Sequence, residues 1–421
     1  MALIDRFLNR MVQKGELTVQ FPSGKTRTFG TPDPELQSVS VRFHDRKVFS
    51  QILADPALGA AETYMDGRLE VTQGDIRDLI VLARANDAWE DKRSTLDASP
   101  ARKALNAIAH RIQSRNAAKS SKQNVAHHYD LSDRLYDLFL DTDRQYSCAY
   151  WTDPENESLE QAQLDKKAHI AAKLYLKPGM KVLDIGCGWG GMALYLHDRF
   201  GVDVLGVTLS EEQLKVAQRR AQEAGVSDHV KFELIDYRDI DGKFDRIVSV
   251  GMFEHVGTPQ YPVFFKKCRD LLTEEGVMLV HTIGRMGPPG FTDSFTLKYI
   301  FPGGYIPALS EMIAPNEPNH MFVTDVEVLR LHYAYTLKCW YDRTVAAKQA
   351  IIDLYDERFY RMWLFYLAGA ESAFAYDEMV NFQVQYARNR HTLPITRDYM
   401  FETERSLAQP VGATGQRQAA E

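Results

Sequence analysis

The second half of the chain alternates short apolar runs with stretches of helical periodicity. Strand-like apolar runs occupy 180–185, 203–208, 230–235, 245–251 and 276–282. Between them, amphipathic stretches lie near 191–200, 211–224 and 260–272. Strands that alternate with helices in this way predict a parallel sheet with helices on both faces, and therefore an α/β domain.

The last quarter of the chain extends this pattern. Helical periodicity near 333–347 and 351–372 predicts two further helices. The stretch 380–386 then alternates apolar and polar residues, which predicts a late strand at the edge of the sheet. We place the large domain at 123–401 and expect the small, polar residues of 402–421 to form a disordered tail.

A smaller unit precedes this domain. The runs 17–21 and 39–43 alternate like half-buried strands, and helical patterns around 47–65 and 74–87 complete an α+β accessory domain within residues 1–100. At its start, Leu3, Ile4, Phe7, Leu8, Met11 and Val12 form one apolar helical stripe. That helix either packs on its own domain or docks on a membrane surface, and the sequence leaves both open.

Residues 101–122 form a basic linker in an otherwise acidic chain. The segment carries Arg102, Lys103, Arg111, Arg115, Lys119 and Lys122, and no acidic residue occurs from 98 through 129. One interpretation is a solvated linker. The other is attraction to anionic lipid headgroups, which contributes about 1 kcal/mol per basic residue near the surface.

Composition narrows the class of protein. The formal net charge of −7 over 421 residues argues against a general nucleic-acid binder. The four cysteines form no C-x-x-C pair, have no zinc-like spacing and suit a reducing cytosol, so we expect no metal. Asp5, Arg6 and Arg10 interrupt any signal-peptide core, and no apolar run is long enough to span a bilayer. We expect a cytoplasmic protein that associates only peripherally with the inner face of the membrane.

The chemistry centres on the sequence VLDIGCGWGG at 182–191. An apolar strand here runs into a glycine-rich turn and then a helix, which is the usual site of an adenosine-containing cofactor. Gly186, Gly188 and Gly191 also satisfy the G-x-G-x-x-G pattern of a dinucleotide site, which is a weak signal alone. The glycines therefore fit two cofactors.

Two neighbouring features favour S-adenosylmethionine. Asp184 lies two residues before the first glycine, where a carboxylate can meet the amino group of that cofactor. A nicotinamide dinucleotide site requires an acidic residue at the end of the next strand. Here the strand ends in Thr208-Leu209-Ser210 instead, so we predict a methyl-donor site.

Polar residues end several of the predicted strands. They are Asp184, Thr208, Asp236, Glu254 and His281. Because ligands of open parallel sheets lie beyond the carboxyl ends of the strands, this set predicts a reactive site. Each member also has a structural alternative: Asp236 can cap a turn, His281 can be a satisfied core histidine, and Ser210 with Gln213 fits a capping box.

Motifs along the chain carry a family resemblance. They are ETYMDG at 62–67, HYDLS at 128–132, YSCAYW at 146–151, the glycine turn, GVTLS at 206–210, DRIVSVGMFEHVG at 245–257, HTIG at 281–284 and FPGG at 301–304. In this order they resemble the cyclopropane fatty acid synthases and related mycolic acid methyltransferases, over nearly the whole chain. The motif at 62–67 is similar to the accessory domain of the bacterial synthases, which the mycolic acid enzymes lack. The resemblance implies a class I S-adenosylmethionine-dependent methyltransferase domain, which is Rossmann-like.

The resemblance also implies site residues. Around S-adenosylmethionine it places Tyr146, Ser147, Asp184, Gly186, Gly188, Thr208, Leu209, Ser210, Gln213, Asp236 and Tyr237. Around a catalytic bicarbonate it places Cys148, Glu254, His281, Ile283 (through its backbone) and Tyr333. Tyr335 is an alternative to Tyr333, and a buried small hydrophobe is an alternative role for Cys148.

The expected activity is that of a C-methyltransferase. It transfers a methylene from S-adenosylmethionine to the cis double bond of an unsaturated phospholipid, through a carbocation that bound bicarbonate deprotonates. The aromatic residues that could stabilise this cation are Tyr146, Phe253, Phe301 and Tyr305. A methyl- or methylene-branched product and a catalytically silent lipid- or cofactor-binding protein stay open, whereas the intact bicarbonate set speaks against an amine N-methyltransferase. The resemblance further implies a homodimer. It leaves the preferred headgroup and double-bond position undetermined.

Overall fold

A computed structural model describes residues 2–91 and 132–407. The N-terminal unit contains α1 (Ala2–Met11), β1 (Gly15–Gln20), β2 (Thr26–Thr31), β3 (Val39–Phe43), α2 (Lys47–Ala54), α3 (Pro56–Met65), β4 (Leu69–Gln73) and α4 (Ile76–Ala85). Its sheet has the order β2-β1-β3-β4, and all neighbours are antiparallel except β1 and β3. The predicted α+β unit is therefore present.

Helix α1 packs on its own unit. Ile4, Leu8 and Val12 are buried in a core shared with β1 and β3, whereas Leu3 on another side of the helix is 70% exposed. The apolar stripe thus serves first to cover the small sheet, because residues spaced by four share one helix face. The exposed side of α1, which includes Leu3, stays a candidate for docking on a membrane.

The large domain is built on seven strands. They are β5 (Lys181–Ile185), β6 (Asp203–Thr208), β7 (Val230–Leu234), β8 (Phe244–Val250), β9 (Leu272–Arg285), β10 (Phe322–Leu329) and β11 (Met379–Ala387). The order is β10-β11-β9-β8-β5-β6-β7, parallel from β9 to β7 and antiparallel at β11 and β10. This arrangement confirms the predicted Rossmann-like α/β class.

Helices cover both faces of this sheet. In chain order the helices of this domain are α5 (Asp133–Phe139), α6 (Leu159–Leu174), α7 (Gly191–Phe200), α8 (Glu211–Glu223), α9 (Tyr261–Leu271), α10 (Leu309–Ile313), α11 (His332–Ala346), α12 (Lys348–Leu354), α13 (Glu357–Tyr376) and α14 (Asp398–Leu407). Helices α6, α7 and α8 pack on one face, and α9 and α10 pack on the other. Residues of α5, α11 and α13 join α3 and α4 of the N-terminal unit in one apolar core. This core encloses one side of the site described below.

The position of β11 differs from the prediction of an edge strand. It pairs with β9 on one side and with β10 on the other, so β10 is the edge. Asn381, Gln383 and Gln385 are all fully buried, although their alternation with apolar residues is typical of a half-exposed strand. The prediction was wrong because the stretch that forms β10 was not recognised as a strand, and β10 pairs with the outer side of β11.

Ion pairs join the two units. Arg77 on α4 makes two hydrogen bonds of 2.6 Å to Glu371 on α13. Glu62 on α3 accepts hydrogen bonds from Lys298 at 2.6 Å and from Tyr299 at 2.9 Å. These contacts, together with the shared apolar core, hold the N-terminal unit against the helices that border the site.

The end of the large domain differs from the predicted boundary. Helix α14 continues to Leu407, so residues 402–407 are not the disordered tail that we predicted. Glu404 of this helix bonds His169 at 3.0 Å, which ties the helix to α6. The basic linker 101–122, the motif residues 128–131 and the tail beyond 407 lie outside the described residues. In the described part of the chain, no helix is long and apolar enough to cross a membrane.

Candidate active site

The glycine-rich turn follows β5 and leads into α7. Gly186, Gly188 and Gly190 all have positive φ angles, of 85°, 54° and 85°. A Cβ atom at Gly186 would lie 2.9 Å from the Cβ of Met252, and one at Gly190 would lie 2.7 Å from the ring of Phe232. At Gly186 and Gly190 both the left-handed backbone and the close packing therefore require glycine, whereas at Gly188 the backbone conformation alone favours it.

A pocket of about 150 Å³ opens above this turn. Its walls include most of the residues predicted to bind the cofactor, namely Tyr146, Ser147, Asp184, Gly186, Gly188, Thr208, Leu209, Gln213 and Tyr237. They come from the carboxyl ends of β5 and β6 and the turns that follow them, the first turn of α8, the segment after β7 and the loop before α6. The fold therefore brings these separated residues together at one edge of the sheet.

Asp184 places a buried carboxyl in the wall of this pocket. Its Oδ2 atom is buried and has no hydrogen-bond partner among residues 2–91 and 132–407. Burial raises the pKa of the carboxyl to about 7, although Lys166 acts in the opposite direction. An unpaired buried carboxylate is costly, and a cationic ligand would offset that cost. The residue therefore fits the ammonium group of S-adenosylmethionine.

Two predicted cofactor residues, Ser210 and Asp236, are not among the residues that line the pocket. Ser210 caps α8 by accepting a hydrogen bond from the backbone N–H of Gln213 at 3.3 Å. Asp236 pairs with the guanidinium of Arg238 at 2.6 Å and caps a short 3₁₀ helix. The structure thus places both side chains in the capping roles that the sequence had left open, and this geometry does not support their direct contact with the cofactor.

A second, larger cavity of about 870 Å³ adjoins the first. Tyr146, Ser147, Gly251 and His255 line both cavities and form their common boundary. From there the large cavity runs past Phe365 and Phe374 on α13 to apolar residues of the N-terminal unit. Those residues include Ile4, Leu8, Leu17, Val41, Phe43, Ile52, Leu69 and Leu79. Its walls suit a long apolar ligand.

The predicted bicarbonate residues lie together beside this boundary. Cys148, Glu254, His281, Ile283 and Tyr333 all line the large cavity. Glu254 follows β8, and its Oε1 accepts a hydrogen bond of 2.7 Å from the backbone N–H of Ile283 on β9. Its Oε2 is buried and has no hydrogen-bond partner in the described residues, and burial raises the pKa of the carboxyl to about 7. Glu254 can therefore hold or exchange a proton near neutral pH.

Two members of this set are already engaged by protein groups. The Ile283 N–H donates to Glu254, so it is not directed at a ligand. Both ring nitrogens of His281 lie against carboxamides, 2.8 Å from Asn381 and 3.1 Å from Gln383. Burial lowers the pKa of His281 well below its usual value, so the ring is neutral.

Cys148 and Tyr333 occupy different environments. Burial raises the pKa of the Cys148 thiol far above its usual value, which keeps the thiol protonated and unreactive. Tyr333 is buried in the cavity wall, whereas Tyr335 is 36% exposed and does not line the cavity. Of the two tyrosines, the structure therefore brings only Tyr333 to the predicted anion site.

The four aromatic residues that were predicted to stabilise the cation do not all line the cavity. Tyr146, Phe301 and Tyr305 line the large cavity. Phe253 does not: it is fully buried in the core behind β8 and stacks on Tyr261 at a centroid distance of 4.2 Å. Phe253 therefore packs the sheet and does not face a substrate, which corrects its predicted role.

Sequence reasoning missed two residues, Lys166, which supports the site through Ser147, and His255, which lines it. Lys166 on α6 is fully buried, and its Nζ donates to Gln145 and, at 2.9 Å, to the hydroxyl of Ser147. Burial lowers the pKa of this lysine to about 8. His255 lies between the two cavities, and burial lowers its pKa to about 4. A lysine within a helical pattern is typical of a solvated residue, so only the structure shows that Lys166 is buried and bonded to Ser147.

The two buried carboxyls predict a pH-dependent stability. Asp184 and Glu254 have folded-state pKa values of about 7, above those of the unfolded chain. Between about pH 4 and 7 the folded state therefore holds protons that the unfolded state has lost, so these groups make stability fall as pH rises, by about 1.4 kcal/mol per pH unit for each group. The lowered pKa values of His255 and His281 act in the opposite direction below about pH 6.5, so the loss is measured as the difference in thermal unfolding, from pH 4.5 to 8, between the ligand-free wild-type protein and a variant without the two carboxyls. An Asp184→Asn/Glu254→Gln variant should lose less, and an equal loss in both proteins would contradict the assignment.

Comparison with known proteins shows which families and relatives this chain resembles. The family model for mycolic acid cyclopropane synthetase matches residues 116–384, and one described as a domain of unknown function matches residues 3–94. The chain is 40% identical over 350 residues to the cyclopropane-fatty-acyl-phospholipid synthase of Escherichia coli strain K12, which covers 83% of this chain and 87% of the relative. It is 38% identical over 264 residues to cyclopropane mycolic acid synthase 1 of Mycobacterium tuberculosis, covering 60% of this chain and 92% of the relative.

A solved structure agrees with these matches. The crystal structure of mycolic acid cyclopropane synthase CmaA1 complexed with SAH and CTAB superposes with a TM-score of 0.60 at 35% sequence identity. It covers 63% of this chain and 98% of its own chain. The family model alone spans more than half of the sequence, from the segment before α5 into β11. The chain therefore belongs to the mycolic acid cyclopropane synthetase family.

Proposed function

We propose that the protein transfers a methylene group from S-adenosylmethionine to the cis double bond of an unsaturated phospholipid acyl chain, which forms a cyclopropane ring. One observation carries this proposal: the glycine-turn pocket and the large apolar cavity share a boundary beside Glu254 and His281. The 40% identity to a protein named cyclopropane-fatty-acyl-phospholipid synthase, over most of both chains, supports it.

Ring formation requires two new carbon–carbon bonds, and each takes its electrons from a bond that breaks. S-Adenosylmethionine, when bound, supplies an electrophilic methyl group and leaves as S-adenosylhomocysteine. The electron pair of the double bond forms the new bond to the methyl carbon, and positive charge develops on the acyl chain. A methyl C–H bond then supplies the electrons that close the ring, and its proton passes to a base. The chain gains one CH₂ in total.

The protein positions the methyl donor against the acyl chain and excludes water from the site. Tyr146 and Ser147, at the boundary of the two cavities, can hold the donor against the acyl chain, and such positioning can lower a barrier by about 7–11 kcal/mol in good intramolecular analogues. Cys148 is a neutral, buried thiol and so does not compete for the methyl group. The apolar walls exclude water, which would otherwise trap the cation.

The proposed reaction also needs a base that accepts the proton from the transferred methyl group. Bicarbonate, when bound, would supply a small base that accepts the proton. Glu254 offers a buried carboxyl with a free oxygen and a pKa of about 7, which can take the proton onward from such an anion. Tyr333 lies in the same wall of the cavity. We therefore propose that this cluster holds the bicarbonate.

We propose that the lipid enters the site through the mouth of the large cavity. Trp89 and Phe291 line the cavity and are 44% and 43% exposed, so they mark its opening to solvent. A membrane surface at this opening would allow one acyl chain to enter while the headgroup stays outside. Peripheral association with the inner face of the membrane, a cytoplasmic location and a homodimer complete the proposal. Vesicle flotation and light scattering test the membrane and dimer parts.

Mass spectrometry of lipids tests the reaction. The protein is incubated with S-adenosylmethionine and monounsaturated phospholipid vesicles. We expect a gain of one CH₂ in a chain that resists hydrogenation as an alkene. The same gain with a surviving double bond would retain the methyltransferase and replace the ring by a branched product. Unchanged lipid without S-adenosylhomocysteine would contradict the proposed function.

A further inference from the structure

Helix α6 holds the loop segment that lies between the two cavities. This segment, residues 145–148, forms part of the wall of both. Gln163 and Lys166 are one turn apart on α6, so both side chains reach the same stretch of the loop. Gln163 Nε2 donates to the backbone carbonyls of Gln145 and Ser147, at 3.2 and 3.0 Å. Lys166 Nζ donates to Gln145 Oε1 and, at 2.9 Å, to the hydroxyl of Ser147. The helix therefore fixes both the backbone and the side chains of the segment.

The donor and acceptor roles in these contacts follow from the groups themselves. A lysine ammonium has three N–H donors and no acceptor, so the Ser147 oxygen must accept from Lys166. Gln145 Nε2 donates to the carboxylate of Asp143 at 3.0 Å, which turns the amide oxygen of Gln145 towards the lysine. Lys166 is fully buried, and burial lowers its pKa to about 8, so the lysine is still mainly protonated at neutral pH.

The Ser147 hydroxyl keeps a hydrogen that it can donate. Among residues 2–91 and 132–407, the side chain of Ser147 has one hydrogen-bond partner, Lys166. Because the lysine occupies one side of the oxygen, the O–H bond points away from the lysine. Ser147 is 8% exposed and lines both cavities, so this O–H group can donate to a bound ligand.

The charges around the glycine-turn pocket favour the amino-acid end of S-adenosylmethionine as that ligand. Asp184 lines this pocket but not the large cavity, and its buried carboxyl suits the ammonium group. The positive charge of Lys166 acts on Asp184, since it opposes the rise in the pKa of that carboxyl. An α-amino acid carries its ammonium and its carboxylate on one carbon atom. A ligand whose ammonium meets Asp184 therefore brings a carboxylate to the region where the Ser147 hydroxyl and the charge of Lys166 attract it.

We propose that Lys166 is a positioning residue of the methyl-donor site, which directs the O–H group of Ser147 at the carboxylate of S-adenosylmethionine. This inference rests on the proposed function, because it concerns the binding of the same donor. Lys166 lines neither cavity, so it acts through Ser147 and through its charge. A lysine amine that faced the donor could itself attack the electrophilic methyl group. Behind Ser147, the lysine contributes its charge without that side reaction.

A double-mutant cycle on ligand affinity tests this role. Ser147→Ala removes one hydrogen bond to a charged group, which corresponds to about a 10–100-fold weaker affinity. We expect Lys166→Met to raise the calorimetric Kd for S-adenosylhomocysteine, in bicarbonate-free buffer, by a factor in the same range. The double variant should bind about as weakly as the weaker single variant, because both changes remove the same contact.

A second ligand and a second lysine serve as controls. 5′-Methylthioadenosine lacks the amino-acid end, so its Kd should be the same in wild-type protein and in every variant, which also shows that each variant is folded. Lys173 is another buried lysine of α6, but it pairs with Glu327 and Asp325 and lines neither cavity. Lys173→Met should leave the Kd of both ligands unchanged. If Lys166→Met does not fold, Lys166→Gln takes its place.

A purely structural role for Lys166 predicts different results. Lys166→Met would then weaken the binding of both ligands alike, or its effect would multiply with that of Ser147→Ala, and either result overturns the inference. Wild-type affinity for S-adenosylhomocysteine in a folded Lys166 variant overturns it as well. Wild-type protein that binds neither ligand overturns the inference together with the proposed function. Because the cycle needs no lipid, wild-type protein that binds S-adenosylhomocysteine but makes no cyclopropane contradicts the proposed function alone.

Discussion

Replacement of Glu254 by glutamine should lower the rate of ring formation by about 10²–10⁴-fold, the usual contribution of a positioned acid or base. The variant keeps the hydrogen-bond acceptor for the Ile283 N–H but loses the group that exchanges a proton in the dry cavity. Its affinity for S-adenosylhomocysteine should change little, because Glu254 does not line the glycine-turn pocket. Product formation per enzyme and calorimetric binding of S-adenosylhomocysteine measure the two effects.

Glu378→Gln is the control for this prediction. Glu378 also lines the large cavity, but its carboxylate pairs with Arg285 at 3.0 Å. It is therefore not available for proton exchange, and its replacement should leave most of the activity. A Glu254→Gln enzyme as active as Glu378→Gln would remove Glu254 from the reaction.

Disruption of the Arg77–Glu371 pair should uncouple the two units. The Arg77→Met variant leaves the buried carboxylate of Glu371, which is 8% exposed, without its partner. Loss of one member of a buried pair costs about 3–5 kcal/mol, and the 26% exposure of Arg77 places this case near the lower value. We expect a lower free energy of unfolding in urea and a loss of lipid turnover, because the N-terminal unit supplies part of the cavity wall. Binding of S-adenosylhomocysteine should persist.

Two comparisons sharpen this result. Asp66→Asn breaks the half-exposed pair with Arg358, which also joins the units, and should change stability by no more than about 1 kcal/mol. Arg77→Met combined with Glu371→Leu should recover part of the lost stability, because no charge is then left buried and unpaired. Wild-type stability and turnover in Arg77→Met would show that apolar contacts alone hold the units together.

The glycine turn shows how far local sequence reasoning reaches. Strand β5, the positive φ angles at Gly186 and Gly188, and the start of α7 all depend on residues within one short segment. The position of Asp184 in the pocket, at the end of that strand, could therefore be predicted from the local pattern. Glu254 follows the same rule, because it comes shortly after the carboxyl end of β8. His281 does not end its strand as predicted, because β9 continues to Arg285, but it lies opposite Val250, the last residue of β8, and so reaches the same edge of the sheet.

Other residues depended on the local turn or on the packing around them. Asp236 has the spacing of a ligand, but its carboxylate is taken by Arg238. Phe253 belongs to a matching motif, but it faces the core behind the sheet. Sequence patterns could not decide these cases, because side-chain direction at a strand end depends on the turn that follows it.

The sequence by itself determined the α/β class, the cofactor turn and the family to which the chain belongs, since each rests on short-range patterns and ordered motifs. Only the tertiary structure decided that β11 lies inside the sheet and that Asn381 and Gln383 hold His281. It alone decided that the N-terminal unit closes the cavity. The physical reason is that burial and hydrogen-bond partners come from segments far apart in the chain, such as Arg77 and Glu371, and no local periodicity records them.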